Sequence, residues 1–263
     1  MPAPFIDCHL HLQDKRYQGQ QKLVIERARA AGVGLLFCNG SCEEDWDETL
    51  ALAAGNQEVI PFLGIHPWAA EGVSENWDEK LYNLLKDHQV GIGEIGLDRQ
   101  CGVDFARQEQ VFVRQLQLAL ELGRPLAIHC LKAWGRLLEI LKGVKATLPP
   151  LMIHSFGGSA EVMDLLLKQG AYISFSARLA EQPRLRNCCR AIPAERLLLE
   201  TDSPDQLRRS LCPEAGEGTL NEPVLIPRLY RLVAAIRGTD NDQFRQQVWD
   251  NGTLFAHPLI SRR

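Results

Sequence analysis

The sequence predicts a (β/α)8 barrel. Three observations lead there. Eight short apolar runs recur along the 263 residues, amphipathic stretches separate them, and unusual polar residues, chiefly histidine, gather at the ends of the runs. Eight βα repeats typically occupy about 250 residues.

The runs are FIDCHLHL (5–12), GLLFCNG (34–40), VIPFLGIHP (59–67), VGIGEIGLD (90–98), PLAIHCL (125–131), PLMIHSF (150–156), YISFSA (172–177) and RLLLETDSP (196–204). Each is short and rich in Ile, Leu, Val or Phe, as parallel strands covered on both faces are. Between them, VDFARQEQVFVRQLQLALELG (103–123) carries the longest helical stripe and stops at Gly123, ahead of Arg124-Pro125. SAEVMDLLLKQG (159–170) opens on Ser159 as a cap and closes at Gly170. A helix over 223–238 has Pro223 inside its first turn, and another follows around 240–250. The longest irregular stretch, Ser203 to Asn221, reads as a loop of the length usually reserved for function. No Gly/Ser/Pro linker divides the chain, so 1–263 reads as a single barrel domain.

A net charge of −4 argues against a duplex clamp, which carries a broad basic face. Attraction to a polyanion would have to be local. Arg184, Arg186 and Arg190, or Arg208 and Arg209, are the clusters available, and each alone reads as a solvated face. No apolar run reaches the roughly 18 residues of a membrane span, and the N-terminus lacks a signal-peptide pattern. Eight cysteines without a CxxC pair fit a reducing compartment and small half-buried or buried hydrophobes. The expectation is a cytoplasmic monomer with no membrane partner.

The polar residues carry the chemistry. His9 and His11 end the first run, His66 the third, Glu94 and Asp98 the fourth, His129 the fifth, His154 the sixth and Asp202 the eighth. The carboxyl ends of barrel strands converge on one mouth, where active sites are built. One histidine on an apolar strand is usually a satisfied core residue. Several at equivalent positions, with acids beside them, satisfy one another best through a metal. His9, His11, His129, His154, Glu94 and Asp202 exceed one tetrahedral site and suit two cations about 3.5–4 Å apart. Strand four lies between the two groups, so Glu94 is the natural bridge. One metal would take His9, His11, Glu94 and Asp202, because strands one and eight meet when a barrel closes; the other would take His129, His154 and Glu94. Nitrogen and oxygen donors fit zinc, manganese, iron, cobalt or magnesium. By alternation, Asp7 shares a face with His9 and Glu200 with Asp202; both are expected to orient the metal ligands. Cys8 and Cys130 alternate away.

DCHLHL at 7–12, GIHP at 64–67, GEIGLD at 93–98, IH at 128–129, HSFGGS at 154–159, ETDSP at 200–204, NEP at 221–223 and NGTLF at 251–255 resemble, in order and at barrel spacing, the TatD family of metal-dependent deoxyribonucleases within the amidohydrolase-like superfamily. The resemblance implies a hydrolase that cleaves DNA phosphodiesters, with Glu94 and Asp202 in the catalytic centre and Asp202 helping to activate water. It further implies that His66 contacts phosphate. Single-stranded DNA or ends suit a narrow mouth without a basic groove. The chain departs from the family at Leu131, where an arginine is usual, at Arg99 and Gln100, where an aromatic residue is frequent, and in GEGTLNEP, which lacks an arginine-glycine pair. Lys132 is the cation left to neutralise phosphate. The lost arginines keep open a metallohydrolase acting on a small amide, lactone or phosphate ester. A metal-bound adaptor without turnover is the third reading.

Overall fold

The computed structural model describes residues 2–261. Its strands are β1 (Phe5–Leu10), β2 (Val33–Asn39), β3 (Val59–Leu63), β4 (Gly91–Asp98), β5 (Leu126–Leu131), β6 (Leu151–Ile153), β7 (Tyr172–Phe175) and β8 (Leu197–Leu199). Its helices are α1 (Gln21–Ala30), α2 (Trp46–Gly55), α3 (Trp77–Asp87), α4 (Phe105–Leu122), α5 (Trp134–Gly143), α6 (Ala160–Leu167), α7 (Pro183–Ala191), α8 (Ile226–Arg237), α9 (Asn241–Phe255) and α10 (His257–Ile260). The strands form one parallel sheet in the order β1 to β8. The ring closes beyond β8: Asp202 N donates to His9 O at 3.0 Å and His11 N donates to Ser203 O at 2.8 Å.

The helix signals read from the sequence act as expected. Asp104 caps α4 by accepting from Arg107 N, and Gly123 ends it at φ 63°, a left-handed conformation suited to glycine. Ser159 caps α6. The 223–238 segment begins with a 3-10 turn (Pro223–Leu225) before α8. Helix α9 covers the segment expected around 240–250, and α1, α2, α3, α5, α7 and α10 complete the set.

Strands β6 and β8 are only three residues long, shorter than the apolar runs that contain them. The chain leaves extended geometry early because Ser155 (φ 40°) and Asp202 (φ 55°) turn left-handed. Lys132 (φ 52°) and Gln206 (φ 57°) do the same. These four are the non-glycine residues with positive φ among the described residues, and all lie at or beyond the carboxyl ends of β5, β6 and β8. Such conformations concentrate where a site over-determines the backbone.

Beneath the mouth, Phe37, Ala127, Met152 and Leu198 each lie two positions before a polar residue of the site and cluster with Phe62 and Phe255. The Phe62 and Phe255 rings stack with centroids 6.0 Å apart. This apolar floor, plugged by the last residue of α9, excludes water from below the polar centre. A larger apolar layer lies between strands and helices.

One register detail positions the site. Gly96 pairs with His129 across β4 and β5. It sits at φ 146°, and a Cβ there would lie 1.9 Å from the His129 carbonyl oxygen. Only glycine lets the two strands approach this closely.

Candidate metal centre

The structure brings His9, His11, His66, Glu94, His129, His154 and Asp202 to one mouth. Glu94 is central. Its Oε2 lies 3.2 Å from His9 Nε2 and 3.3 Å from His11 Nε2. Its Oε1 lies 2.7 Å from His154 Nε2, 3.0 Å from His129 Nδ1 and 3.3 Å from His66 Nε2. Each carboxylate oxygen therefore faces its own set of imidazoles. Asp202 Oδ1 lies 3.7 Å from both His9 Nε2 and His11 Nε2.

Hydrogen bonds on the far side of the His11, His129 and His66 rings bear on what the near nitrogen can do. His11 Nδ1 donates to the Asn39 carbonyl at 2.8 Å, which leaves Nε2 turned to Glu94. His129 Nε2 faces Asp98 Oδ2 at 3.3 Å, leaving Nδ1 free. Glu200 Oε1 lies 3.4 Å from His154 Nδ1 and accepts from Ser155 N at 2.6 Å. His66 is the opposite case. Its Nδ1 accepts from Trp68 N at 3.1 Å, so the proton sits on Nε2, which points at Glu94.

His129 Nδ1 and His154 Nε2 lie 3.1 Å apart, and His9 Nε2 and His11 Nε2 lie 3.3 Å apart. Imidazole nitrogens gathered this closely around one carboxylate form a donor set that a cation would satisfy. Three groups, His9–His154–Asp202, His9–His11–Glu94 and His66–Glu94–His129, each place ligand atoms within 4.8 Å of one another. The donor set, imidazole and carboxylate without thiolate, fits hard to borderline divalent cations.

The electrostatics agree. Burial opposes ionisation of Glu94, but His154, His66, His9 and the hydrogen bond from His11 outweigh it and hold its carboxyl well below the usual range. Burial likewise opposes a charge on His11, yet Asp202 and Glu94 push it well above the ordinary histidine value. Against the same opposition, Glu94 and Glu200 raise His154, and Asp98 and Glu94 raise His129. Burial lowers His9 to about 4 and also lowers His66. The pocket thus attracts positive charge.

Asp7 and Glu200 are both fully buried, on the faces that alternation gave them. Glu200 reaches His154. Asp7 instead accepts from Thr201 N at 2.8 Å and Thr201 Oγ1 at 2.6 Å, so it grips the backbone next to Asp202 rather than a ligand ring. Burial pushes its carboxyl up to about 8. Lys132 is exposed just past β5. Arg184 and Arg186 donate to main-chain carbonyls of Gly157, Gly158, Leu179 and Ala180, and Arg190 to Ile236 O. They act as local structural ties. All eight cysteines are unpaired.

Asp98, which the sequence placed at the mouth without a role, steadies His129, and two further contributors carry no sequence signal. Gln206 donates to Asp202 Oδ2 and bonds Ser155 Oγ at 2.8 Å. Trp68 donates from Nε1 to Asp98 Oδ2 at 2.9 Å.

Known proteins share this architecture. The "TatD related DNase" family matches residues 6–256. The "3'-5' ssDNA/RNA exonuclease TatD" of Dickeya dadantii is 33% identical over 264 residues, covering 96% of this chain and 97% of the relative. Its namesake from Klebsiella pneumoniae is 33% identical over 262 residues, covering 95% and 97%. The crystal structure of YjjV, a TatD homolog from Escherichia coli K12, superposes with a TM-score of 0.87 at 29% identity, covering 95% of this chain and 97% of that one. A TatD-family hydrolase from Entamoeba histolytica, at 22% identity and a TM-score of 0.85, covers 98% and 99% and shares the fold. With a family match across nearly the whole chain and relatives above 30% identity along their full length, this protein belongs to the TatD-related DNase family.

Proposed function

We propose that this chain is a two-metal phosphodiesterase that hydrolyses single-stranded nucleic acid from an end. One observation carries the reading: the two oxygens of Glu94 face separate imidazole groups, as a carboxylate shared between two cations requires. His9, His11, Glu94 and Asp202 would hold one cation, and Glu94, His129 and His154 the other. The names of the relatives support a single-stranded substrate.

When bound, the cations supply Lewis acidity at the scissile phosphate. The protein's own groups do the rest. Asp202 turns Oδ1 to the centre while Gln206 holds Oδ2. A water attacks phosphorus, its proton passes to the Asp202 carboxylate, and the bond from phosphorus to the sugar oxygen of the adjoining nucleotide breaks, that oxygen taking up a proton from solvent water. Burial lowers the His66 pKa, and because its Nδ1 accepts from Trp68 N its Nε2 carries a hydrogen. It therefore donates to a non-bridging phosphate oxygen rather than ligating metal. Glu200 and Asp98 keep the His154 and His129 rings oriented. Exposed Lys132 meets the polyanion at the rim. The eight unpaired cysteines support a cytoplasmic location. Leu23, Trp68 and Leu254 are the large hydrophobics exposed among the described residues, which supports a monomeric single domain over 1–263.

The test uses a short single-stranded DNA and a panel of simple esters, lactones and amides, with chelated, metal-reloaded and Asp202→Asn protein. Reloaded wild type is expected to shorten the DNA from one end. Chelated protein and the variant lose this activity, although the variant binds DNA. Metal-loaded protein that leaves DNA intact but turns over a lactone or amide would replace this reading with a small-molecule hydrolase.

A further inference from the structure

We infer that Trp68 is a stacking platform for the unpaired terminal nucleobase of the substrate; this rests on the nuclease reading above. The indole is 65% exposed, the only aromatic among the large exposed hydrophobics of the described residues. A tryptophan normally buries its large apolar faces. Here the surrounding contacts hold the ring out at the mouth instead. Its Nε1 donates to Asp98 Oδ2 at 2.9 Å, and its backbone N donates to His66 Nδ1 at 3.1 Å. Its ring meets the His66 imidazole edge-on at 4.5 Å between centroids and lies 6.5 Å from that of His129. A ring fixed in this way has already lost the freedom that binding would otherwise remove.

Position and charge select the ligand. Asp98 Oδ2 accepts from Trp68 and also faces His129, so the indole stands one hydrogen bond from the centre where the phosphate is cut. Arg184 and Arg186 on α7 are engaged with carbonyls, Arg178 beside Asp202 and Glu200 donates to Ser155 O, and the chain as a whole is acidic. Lys132 and the few cations near the mouth hold phosphate, and retention of a strand end gains from a contact that is not ionic. A flat π-face supplies it for any base. A base within a duplex already has neighbours on both faces and offers no free one. The platform therefore favours single strands and frayed ends, with little preference among bases.

The experiment compares metal-loaded wild type, Trp68→Ala and Trp68→Phe on a short single-stranded DNA. The same DNA is also prepared with an abasic nucleotide at the 3′ end or at the 5′ end. Trp68→Ala is expected to raise KM about tenfold with kcat changed less than about twofold, whereas Trp68→Phe, which keeps a ring but no N–H, retains most of the affinity. Removing the base at the cleaved end is expected to weaken wild type by a similar factor and to leave Trp68→Ala unaffected, since the two changes delete one contact. If wild type and Trp68→Ala discriminate equally against the abasic end, the platform is refuted. A fall in kcat and metal content in both variants would also refute it, leaving Trp68 a mere support for Asp98 and His129. Failure of wild type to bind or cut any oligonucleotide would overturn the nuclease reading itself.

Discussion

Replacing Gly96 with alanine drives a methyl group into the backbone of β5. The added Cβ would lie 1.9 Å from the His129 oxygen and 2.8 Å from its carbonyl carbon, where separations below 3.0 Å essentially never occur. The obstacle is paired main chain, so no side chain can swing aside; β4 and β5 must part by about an ångström. The native φ of 146° adds strain for any residue with a Cβ. Backbone strain of this kind costs about 1–3 kcal/mol, and overpacking adds about 1–3 kcal/mol. The expected loss is roughly 2–6 kcal/mol, a large share of the roughly 5–15 kcal/mol that holds a domain together. Because His129 is the residue displaced, metal retained by the folded fraction should fall as well. Urea unfolding at a fixed metal concentration measures the first effect and metal analysis the second. Gly102→Ala is the control: nothing lies within 4 Å of a Cβ there, and a change within about 0.5 kcal/mol is expected. If Gly96→Ala matches that control in stability and binds a full complement of metal, the close approach of β4 and β5 is not what places His129.

Two further expectations concern groups around the centre and far from it. Gln206→Leu leaves Asp202 Oδ2 without its amide donor; losing a hydrogen bond to a charged group is worth about 1.5–3 kcal/mol, so kcat should fall at least about tenfold. Steady-state kinetics with unchanged kcat would remove Gln206 from the positioning of Asp202. Glu43 lies outside the site and accepts from Ser74 N at 2.6 Å, Ser74 Oγ at 2.7 Å and Lys80 Nζ at 3.1 Å. Burial opposes its charge, but these donors prevail and hold its carboxyl below the usual value. A depressed acid stabilises the fold above the unfolded pKa of about 4.3 and loses that contribution as pH falls through the folded value. Glu43→Gln should therefore cost about 1–2 kcal/mol at neutral pH, with the gap from wild type closing in acid. A gap that is constant from pH 7 to pH 3 would contradict this.

The barrel was legible because strand periodicity and chain length converge on one topology, and the polar residues at strand ends marked its mouth. What escaped depends on tertiary contacts. Asp7 was correctly turned inward by alternation, yet its partner Thr201 lies 194 residues away and becomes a neighbour only when the ring closes. Helix α7 carries three arginines in nine residues around a short buried stripe of Leu185, Cys188 and Cys189; all three tie down main-chain carbonyls, a role with no local signature. The run 196–204 looked like one strand because its apolar and site residues are continuous, but Asp202 takes a left-handed turn that propensity does not foretell. Trp68 follows a buried His-Pro pair and by composition would be assigned to a core. Its exposure follows from how the loop after β3 is pinned to Asp98 and His66.

The seam where the ring closes has a consequence for biosynthesis. The backbone bonds that join its two ends belong to His9, His11, Asp202 and Ser203, so the last closure of the barrel and the assembly of its reactive centre are one event. A chain lacking β8 has β1 through β7 and Glu94, but it holds His9 and His11 without Asp202. Residues 197–203 supply the missing acid and the closing backbone bonds together. An incomplete chain is thereby kept from acting as a nuclease, and the appearance of activity during synthesis or refolding times the closing of the ring.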